Sequence, residues 1–131
     1  MGIPQGSCLG PVLFLLYIND MYKSATNLNM VHFADDTTLY QSGSNINNLI
    51  NKFNSDLCSL DEWLCANRLS LNIEKTKFFI ISNKKYEILD SLKIRNVCIK
   101  QVTSTKFIGI NFDCKLKFDL HINDVLVKLP E

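Results

Sequence analysis

The sequence lacks an excess of charge of either sign: 14 Lys and Arg face 13 Asp and Glu, a net charge of +1 in 131 residues. With 47% hydrophobic residues, this composition is typical of a globular chain. It excludes a disordered charged tail and a protein that coats DNA through its net charge alone. The length allows one domain at most. The overall charge therefore identifies no partner.

Cysteine and histidine are too scattered to form a recognisable site. The five cysteines are an odd number and include no Cys-x-x-Cys pair, and the two histidines do not have zinc-finger spacing. These patterns exclude a disulfide framework and a finger-type zinc site. They predict a reducing, intracellular compartment and leave the nucleus and the cytoplasm open.

Long apolar runs are also absent. The longest, "CLGPVLFLLYI", has 11 residues, which is too short to span a bilayer. It also lacks the basic flank and the cleavage site of a signal peptide. We therefore expect a soluble chain with no membrane partner.

Charge is distributed unevenly along the chain. Up to Asn72 there are three basic and six acidic residues, a net charge of −3, and from Ile73 onward there are eleven and seven, a net charge of +4. A metal-dependent enzyme that acts on polyanions could use such a division. On charge alone, an ordinary solvated surface with uneven charge is the preferred explanation.

Apolar spacing predicts a mixed α+β fold. Residues from Val12 to about Lys23 have the pattern of a buried helix, and steps of three and four predict an amphipathic helix from Ile46 to about Ala66. Ser44 or Asn45 is the expected N-cap of this second helix. The ending "FDLHINDVLVKLP" predicts a third helix of about three turns that stops at Pro130.

Several β-rich runs lie between these helices. "LNMVHFA" and "TTLYQS" are separated only by Asp35 and Asp36, which predicts a hairpin with a carboxylate tip. "KTKFFIIS" predicts a strand, and "TKFIGINFD" and "LKIRNVCIKQV" predict further short strands, the latter folding at Arg95-Asn96.

The two adjacent acids are the strongest chemical signal. A rigid hairpin aims Asp35 and Asp36 at one point, and carboxylate oxygens are the ligands that Mg²⁺ prefers. Two such metals can hold the attacking and leaving oxygens of a displacement at phosphorus. An ordinary Asp-Asp turn on a surface hairpin is the alternative.

Four segments together give this signal a context: "GIPQGSCLGPVLFLLYIND", "FADDT", "WLCANRLSLNIEKTKFFIIS" and "KFIGINFDCKLKFDLHI". In order and spacing they resemble the reverse transcriptases of non-LTR (LINE-type, jockey-like) retrotransposons, over nearly the whole chain. The resemblance implies an α+β polymerase palm, with an antiparallel sheet that carries the Asp-Asp hairpin and packs on two helices. The start of a thumb helix is expected at the C-terminus. Residues 1–131 would then be a partial domain, from the GIPQGS block to the thumb, without fingers or first palm strand.

The resemblance also implies roles for individual residues in RNA-directed DNA synthesis. The expected partners are an RNA template, a DNA primer and deoxynucleoside triphosphates, and the expected cofactor is Mg²⁺ or Mn²⁺. Expected roles are metal binding by Asp35 and Asp36, with Asp35 the direct ligand; neutralisation or protonation of pyrophosphate by Lys75; nucleotide or template binding by Gln5, Gly6, Ser7 and Phe33; and primer binding by Lys106, Phe107 and Gly109.

Each role has a structural alternative. Phe33 on an alternating strand could belong to the core, and Lys75 could share one solvated strand face with Lys77. His32 and His121 are single residues, for which a structural role is expected. Phe53 and Trp63 are expected to pack along the long helix.

The family's metal site includes a further Asp on an earlier strand, and no segment of this sequence matches it. We therefore expect the 131-residue chain by itself to be inactive as a polymerase. Two alternatives remain open. One is a non-catalytic remnant whose basic half, Lys75 to Lys117, binds nucleic acid weakly. The other is a protein-interaction module that uses an exposed sheet edge.

Overall fold

The computed structural model describes residues 8–33 and 36–128, which form helices and short paired strands. The helices are α1 (Leu9–Ile18), a 3₁₀ helix (Met21–Ser24), α2 (Ile46–Ala66) and α3 (Asp119–Lys128). The strands are β1 (Asn29–Phe33), β2 (Asp36–Tyr40), β3 (Lys77–Phe78), β4 (Lys93–Ile94), β5 (Val97–Cys98), β6 (Lys100–Gln101), β7 (Ser104–Phe107) and β8 (Ile110–Asp113). The predicted mixture of helices and strands is confirmed.

The strands pair differently from the prediction. Within the described residues they form four separate two-stranded sheets. The pairs β1–β2, β4–β5 and β7–β8 are antiparallel, whereas β3 and β6 are parallel. The expectation of one antiparallel sheet is therefore wrong for this part of the chain. Four of the strands are only two residues long, so each forms only a short ladder with its neighbour.

Helix α2 confirms its prediction at both ends. The side chain of Asn45 accepts hydrogen bonds from the backbone N–H groups of Asn47 and Asn48, which satisfies two donors at the first turn. Of the two predicted caps, Asn45 is thus the one used. The predicted apolar row is buried along the helix at Ile50, Leu57, Leu60 and Leu64.

Two clusters of buried side chains form along α2, and each includes residues of this helix. One contains Ile50, Leu57, Leu92, Ile94 and Ile99, and the other contains Met21, Leu60 and Leu64. Leu39 of β2 packs against both clusters. Among the described residues neither cluster includes a residue of α1, so the β1–β2 hairpin packs on α2 and, through the cluster with Met21, on the short 3₁₀ helix. As predicted, Phe53 and Trp63 pack along α2.

Helix α1 is the main disagreement with the predicted burial. It ends at Ile18, its one buried residue, and the chain continues into the 3₁₀ helix with Met21 buried. Leu9 and Leu16 are 65% and 68% exposed. Apolar residues surround this helix on every side, but within the described residues only Ile18 of α1 is buried. The prediction of a helix from Val12 to about Lys23 is therefore confirmed in part, since α1 and the 3₁₀ helix cover most of this range, whereas the predicted burial is wrong for α1 before Ile18.

Two tight hairpin turns are each formed by two consecutive residues with positive φ. Arg95 and Asn96 both have positive φ, 50° and 64°, and connect β4 to β5 at the predicted place. Ile108 and Gly109 have φ of 47° and 83° and connect β7 to β8. Two consecutive positive φ values match the right-handed twist of paired strands.

The remaining elements confirm the prediction in part. Helix α3 has the predicted length of about three turns, whereas Pro130 lies outside the described residues. The strand predicted from "KTKFFIIS" is reduced to Lys77–Phe78. No helix within residues 8–33 and 36–128 has the length and apolar character needed to cross a membrane.

Candidate functional site

The β1–β2 hairpin carries the predicted carboxylates. Phe33 pairs with Asp36 at its end, so residues 34–35 connect the two strands. The predicted two-residue connection is therefore shifted by one position, because Asp36 is the first residue of β2 rather than part of the tip. Asp35, and the predicted binding residues Gln5, Gly6 and Ser7, lie outside the described residues.

Local sequence explains why this hairpin forms. β-branched residues on both strands favour extended backbone. His32 pairs with Thr37, and its Nδ1 lies 3.1 Å from Thr37 Oγ1, a hydrogen bond across the strands. This supports the structural role expected for His32.

The hairpin has one packed face and one open face. Met30 and Leu39 pack against the α2 clusters, and residues on alternate positions point the other way. Asp36 and Phe33 share the open face, where Phe33 is 55% exposed. The alternative that Phe33 belongs to the core is therefore wrong.

Asn27 fixes the base of the hairpin to α2. Its backbone N–H and its Nδ2 each donate to the carboxylate of Asp56, both at 2.7 Å. Its carbonyl accepts a hydrogen bond from Gln41 Nε2 at 2.7 Å, just beyond the end of β2. These bonds link both strands to the helix that supports them.

Sequence reasoning missed Asp56, although the sequence contained a signal for it. Asp56 lies three residues after Phe53 and four before Leu60, on the apolar row of α2, and only 4% of it is exposed. A carboxylate in a buried row needs hydrogen-bond donors nearby. Asp56 therefore holds Asn27, and with it the base of the β1–β2 hairpin, against α2.

Asp36 has the properties of an available ligand. Its side chain is exposed and forms no hydrogen bond or ion pair within the described part of the chain. Its oxygens suit a hard cation such as Mg²⁺. Among residues 8–33 and 36–128, no group of three His, Cys, Asp or Glu side chains could hold a metal ion. The described residues therefore form no complete metal site around Asp36.

Lys75 lies in a turn before β3 and not on a strand. Its backbone N–H donates to Asn72 Oδ1 at 3.1 Å, and Thr76 Oγ1 donates to the carbonyl of Asn72 at 2.8 Å. The alternative that Lys75 and Lys77 share one strand face is therefore wrong. Lys75 is exposed and forms no hydrogen bond or ion pair with Asp36.

The β7–β8 hairpin holds the predicted primer-binding residues, but on different sides. Lys106 is exposed and pairs with Asn111, whereas Phe107 lies on the opposite face with Phe112, at a ring-centroid distance of 6.3 Å. Nothing lies within 4 Å of a Cβ placed on Gly109. Lys106 and Phe107 therefore cannot touch a bound strand through the same face.

Asp113 organises the loop between β8 and α3. Its carboxylate accepts hydrogen bonds from the backbone N–H groups of Lys115, Lys117 and Phe118 at 2.8, 3.0 and 3.0 Å. Partial burial raises the pKa of Asp113, but these three donors and the charge of Lys117 lower it more, so the net pKa is below its ordinary value. The loop places α3 next to the hairpin.

Comparison with known proteins gives one consistent family. The family model described as "Reverse transcriptase (RNA-dependent DNA polymerase)" matches residues 1–112. The "Probable RNA-directed DNA polymerase from transposon X-element" of Drosophila melanogaster is 26% identical over 132 residues, covering 98% of this chain and 14% of that protein. The "RNA-directed DNA polymerase from mobile element jockey" of the same species is 25% identical, covering 95% of this chain and 14% of that protein.

A third relative comes from another insect. The "Retrovirus-related Pol polyprotein from type-1 retrotransposable element R1 2" of Nasonia vitripennis is 24% identical, covering 99% of this chain and 33% of that protein. The chain thus spans between one seventh and one third of the length of these curated relatives. No solved structure matches the chain.

Proposed function

The chain belongs to the reverse transcriptase family, and we propose that its β1–β2 hairpin contributes the metal-binding carboxylates of an RNA-directed DNA polymerase from a jockey-like, non-LTR retrotransposon. The family model covers residues 1–112, and curated relatives from such elements align along nearly the whole chain. The observation that carries the proposal is the exposed carboxylate of Asp36 at the start of β2, which has no partner among residues 8–33 and 36–128.

Asp36 and its neighbour Asp35 are the proposed ligands of Mg²⁺ or Mn²⁺. When bound, such metals polarise phosphate oxygens and neutralise charge that develops during nucleotidyl transfer. The chain's own contribution is to hold the carboxylates in position. Asp56 and Asn27 anchor the hairpin base to α2, and Leu39 packs the strand on the same helix. A deoxynucleoside triphosphate and a DNA primer on an RNA template are the proposed substrates.

Phe33 is proposed to contact the nucleotide or the primer end. It lies on the same open face as Asp36 and is directly paired with it. An exposed ring in this position can stack on a base or pack on a sugar. Gln5, Gly6 and Ser7 remain proposed template or nucleotide contacts, and Lys75 a proposed partner of pyrophosphate.

Primer binding by the β7–β8 hairpin is proposed through Lys106 and the turn at Gly109. Lys106 is exposed, and the open space around Gly109 permits close approach of a strand. Phe107 supports this hairpin through its ring contact with Phe112. We propose that its part in primer binding is to hold the shape of the hairpin.

The proposal can be tested in a hybrid polymerase. Residues 1–112 of this chain would replace the matching segment in the polymerase of the X-element relative, and primer extension would be measured on an RNA template. We expect extension by the hybrid and a loss of at least about 100-fold with Asp36→Asn, since even residues that only orient metal ligands cost 10- to 100-fold when changed.

Glu87→Gln is the matched control, because it removes an exposed carboxylate elsewhere in the same segment. It should leave extension within about twofold of the hybrid. Equal activity of the Asp36→Asn hybrid and its parent would contradict the proposal, as would an inactive parent hybrid beside an active X-element polymerase.

A further inference from the structure

Two lysines face each other across the parallel strands β3 and β6. Lys77 is in register with Lys100, and Phe78 is in register with Gln101. Neighbouring strands lie about 4.8 Å apart, and in-register residues point to the same side of the sheet. The two ammonium groups therefore project from adjacent stems on one face.

That face is opposite to the one that packs on the core. Phe78 packs against the cluster around α2, and Ile99 is buried within it. Because side chains alternate along a strand, Lys77 and Lys100 point away from this cluster, and both are exposed. Neighbouring like charges on paired strands destabilise the pair.

Neither lysine is compensated within the described part of the chain. The side chains of Lys77 and Lys100 form no hydrogen bond or ion pair there. Two other basic side chains of this region do have partners: Lys93 lies 3.5 Å from Asp90, and Arg95 Nε lies 2.8 Å from Asp61. The paired lysines are thus a repulsive contact to which an external anion would be complementary.

We propose that Lys77 and Lys100 together bind a backbone phosphate of a nucleic acid, at a surface separate from the Asp36 hairpin. Stems about 4.8 Å apart let both ammonium groups reach the free oxygens of a single phosphate group. The class of partner follows from the proposed function, on which this inference rests. The contact is to the backbone and therefore reads no base sequence.

The test measures binding of a 20-nucleotide single-stranded RNA by fluorescence anisotropy, using the full 131-residue chain over a range of salt concentrations. Each phosphate contact contributes about 0.7 to the slope of log K against log salt for single strands. Because the two lysines share one phosphate, we expect the double variant Lys77→Gln, Lys100→Gln to lower the magnitude of the slope by about 0.7 and the affinity about fivefold at 0.1 M salt.

Lys84→Gln with Lys85→Gln is the matched control, because it removes two exposed positive charges from a neighbouring connection. It should change affinity less than threefold. Lys77→Arg with Lys100→Arg should retain the slope. Thermal unfolding gives a second measurement: the Gln double variant should melt at or above the wild-type temperature, since the repulsion between the lysines is gone.

An unchanged slope in the Gln double variant, or an equal loss in the Lys84 and Lys85 control, would overturn the inference. Equal competition by poly-glutamate of matched charge would assign the pair to an acidic protein instead and would also overturn it. Asp36→Asn should leave the salt slope unchanged. Failure of the lysine pair is therefore distinguishable from failure of the metal-binding proposal.

Discussion

Asp56 on α2 accepts two hydrogen bonds from Asn27, one from the backbone N–H and one from Nδ2, each 2.7 Å long. The two residues are 29 positions apart in the sequence. Asn27 also accepts a bond from Gln41, so this contact joins both ends of the β1–β2 hairpin to the helix beneath it. The position of Asp36 therefore depends on a buried carboxylate far from the proposed metal.

Replacing Asp56 by Ala should destabilise the chain by about 1–3 kcal/mol. The change leaves the backbone N–H of Asn27 without its acceptor in a partly buried place, and an unmade bond of this kind costs its full desolvation energy. Urea unfolding followed by circular dichroism measures the effect. Lys52→Ala, at an exposed position of the same helix, should stay within about 0.5 kcal/mol of wild type. A cost for Asp56→Ala no larger than that of Lys52→Ala would refute this role.

Truncation of Leu60 should destabilise the chain much more than truncation of Leu16. Leu60 is 5% exposed within the cluster with Met21 and Leu64, and Leu60→Ala should cost about 2–5 kcal/mol. Leu16 is equally large but exposed on α1, and Leu16→Ala should cost less than about 0.5 kcal/mol. The same unfolding measurement compares them. A large cost at Leu16 would show that α1 is covered in solution.

Ile108 has a strained backbone at the turn between β7 and β8. Its φ of 47° lies in the left-handed region, which a β-branched residue rarely adopts, whereas Asn tolerates it. Ile108→Asn should therefore stabilise the chain by about 1 kcal/mol, measured as a rise in melting temperature. Ile81→Asn is the matched control, because Ile81 is also about half exposed but does not have a positive φ. An equal rise in both variants would attribute the gain to polarity instead of backbone strain.

Stability should fall in acid because of Asp113. Its pKa is lower in the folded chain than its ordinary value of 3.8, so the folded state binds fewer protons than the unfolded state. The stabilisation is present above about pH 4 and is lost as the pH falls through the folded-state pKa. Asp113→Asn should remove part of this dependence when urea midpoints are compared between pH 3 and pH 7. An identical pH profile in the variant would contradict the assignment.

Strong local patterns in the sequence were sufficient to predict several elements. Steps of three and four located α2 and its Asn45 cap, and the pair Arg95-Asn96 located a turn that needs two positive φ values. These features depend on neighbours a few residues apart. The β1–β2 hairpin was predicted for the same reason, with its connection displaced by one residue.

Features that depend on distant partners were missed. The pairing of Lys77 with Lys100 joins strands 23 positions apart, and alternation along a two-residue strand specifies neither partner nor direction. The structural role of Asp56 depends on its hydrogen bonds with Asn27, which is 29 positions away in the sequence. The exposure of α1 could not be predicted because its composition indicates burial, whereas the described residues provide no cover for most of its surface.

The most direct test of the central claim is a titration of the chain with Mn²⁺, followed by the NMR signals of its backbone amides. A bound paramagnetic ion broadens nearby signals. We predict selective broadening at Phe33, Asp36 and Thr37, which Asp36→Asn abolishes and Glu87→Gln leaves intact. Broadening that is absent from the hairpin, or that persists unchanged in Asp36→Asn, would contradict a metal site on these carboxylates.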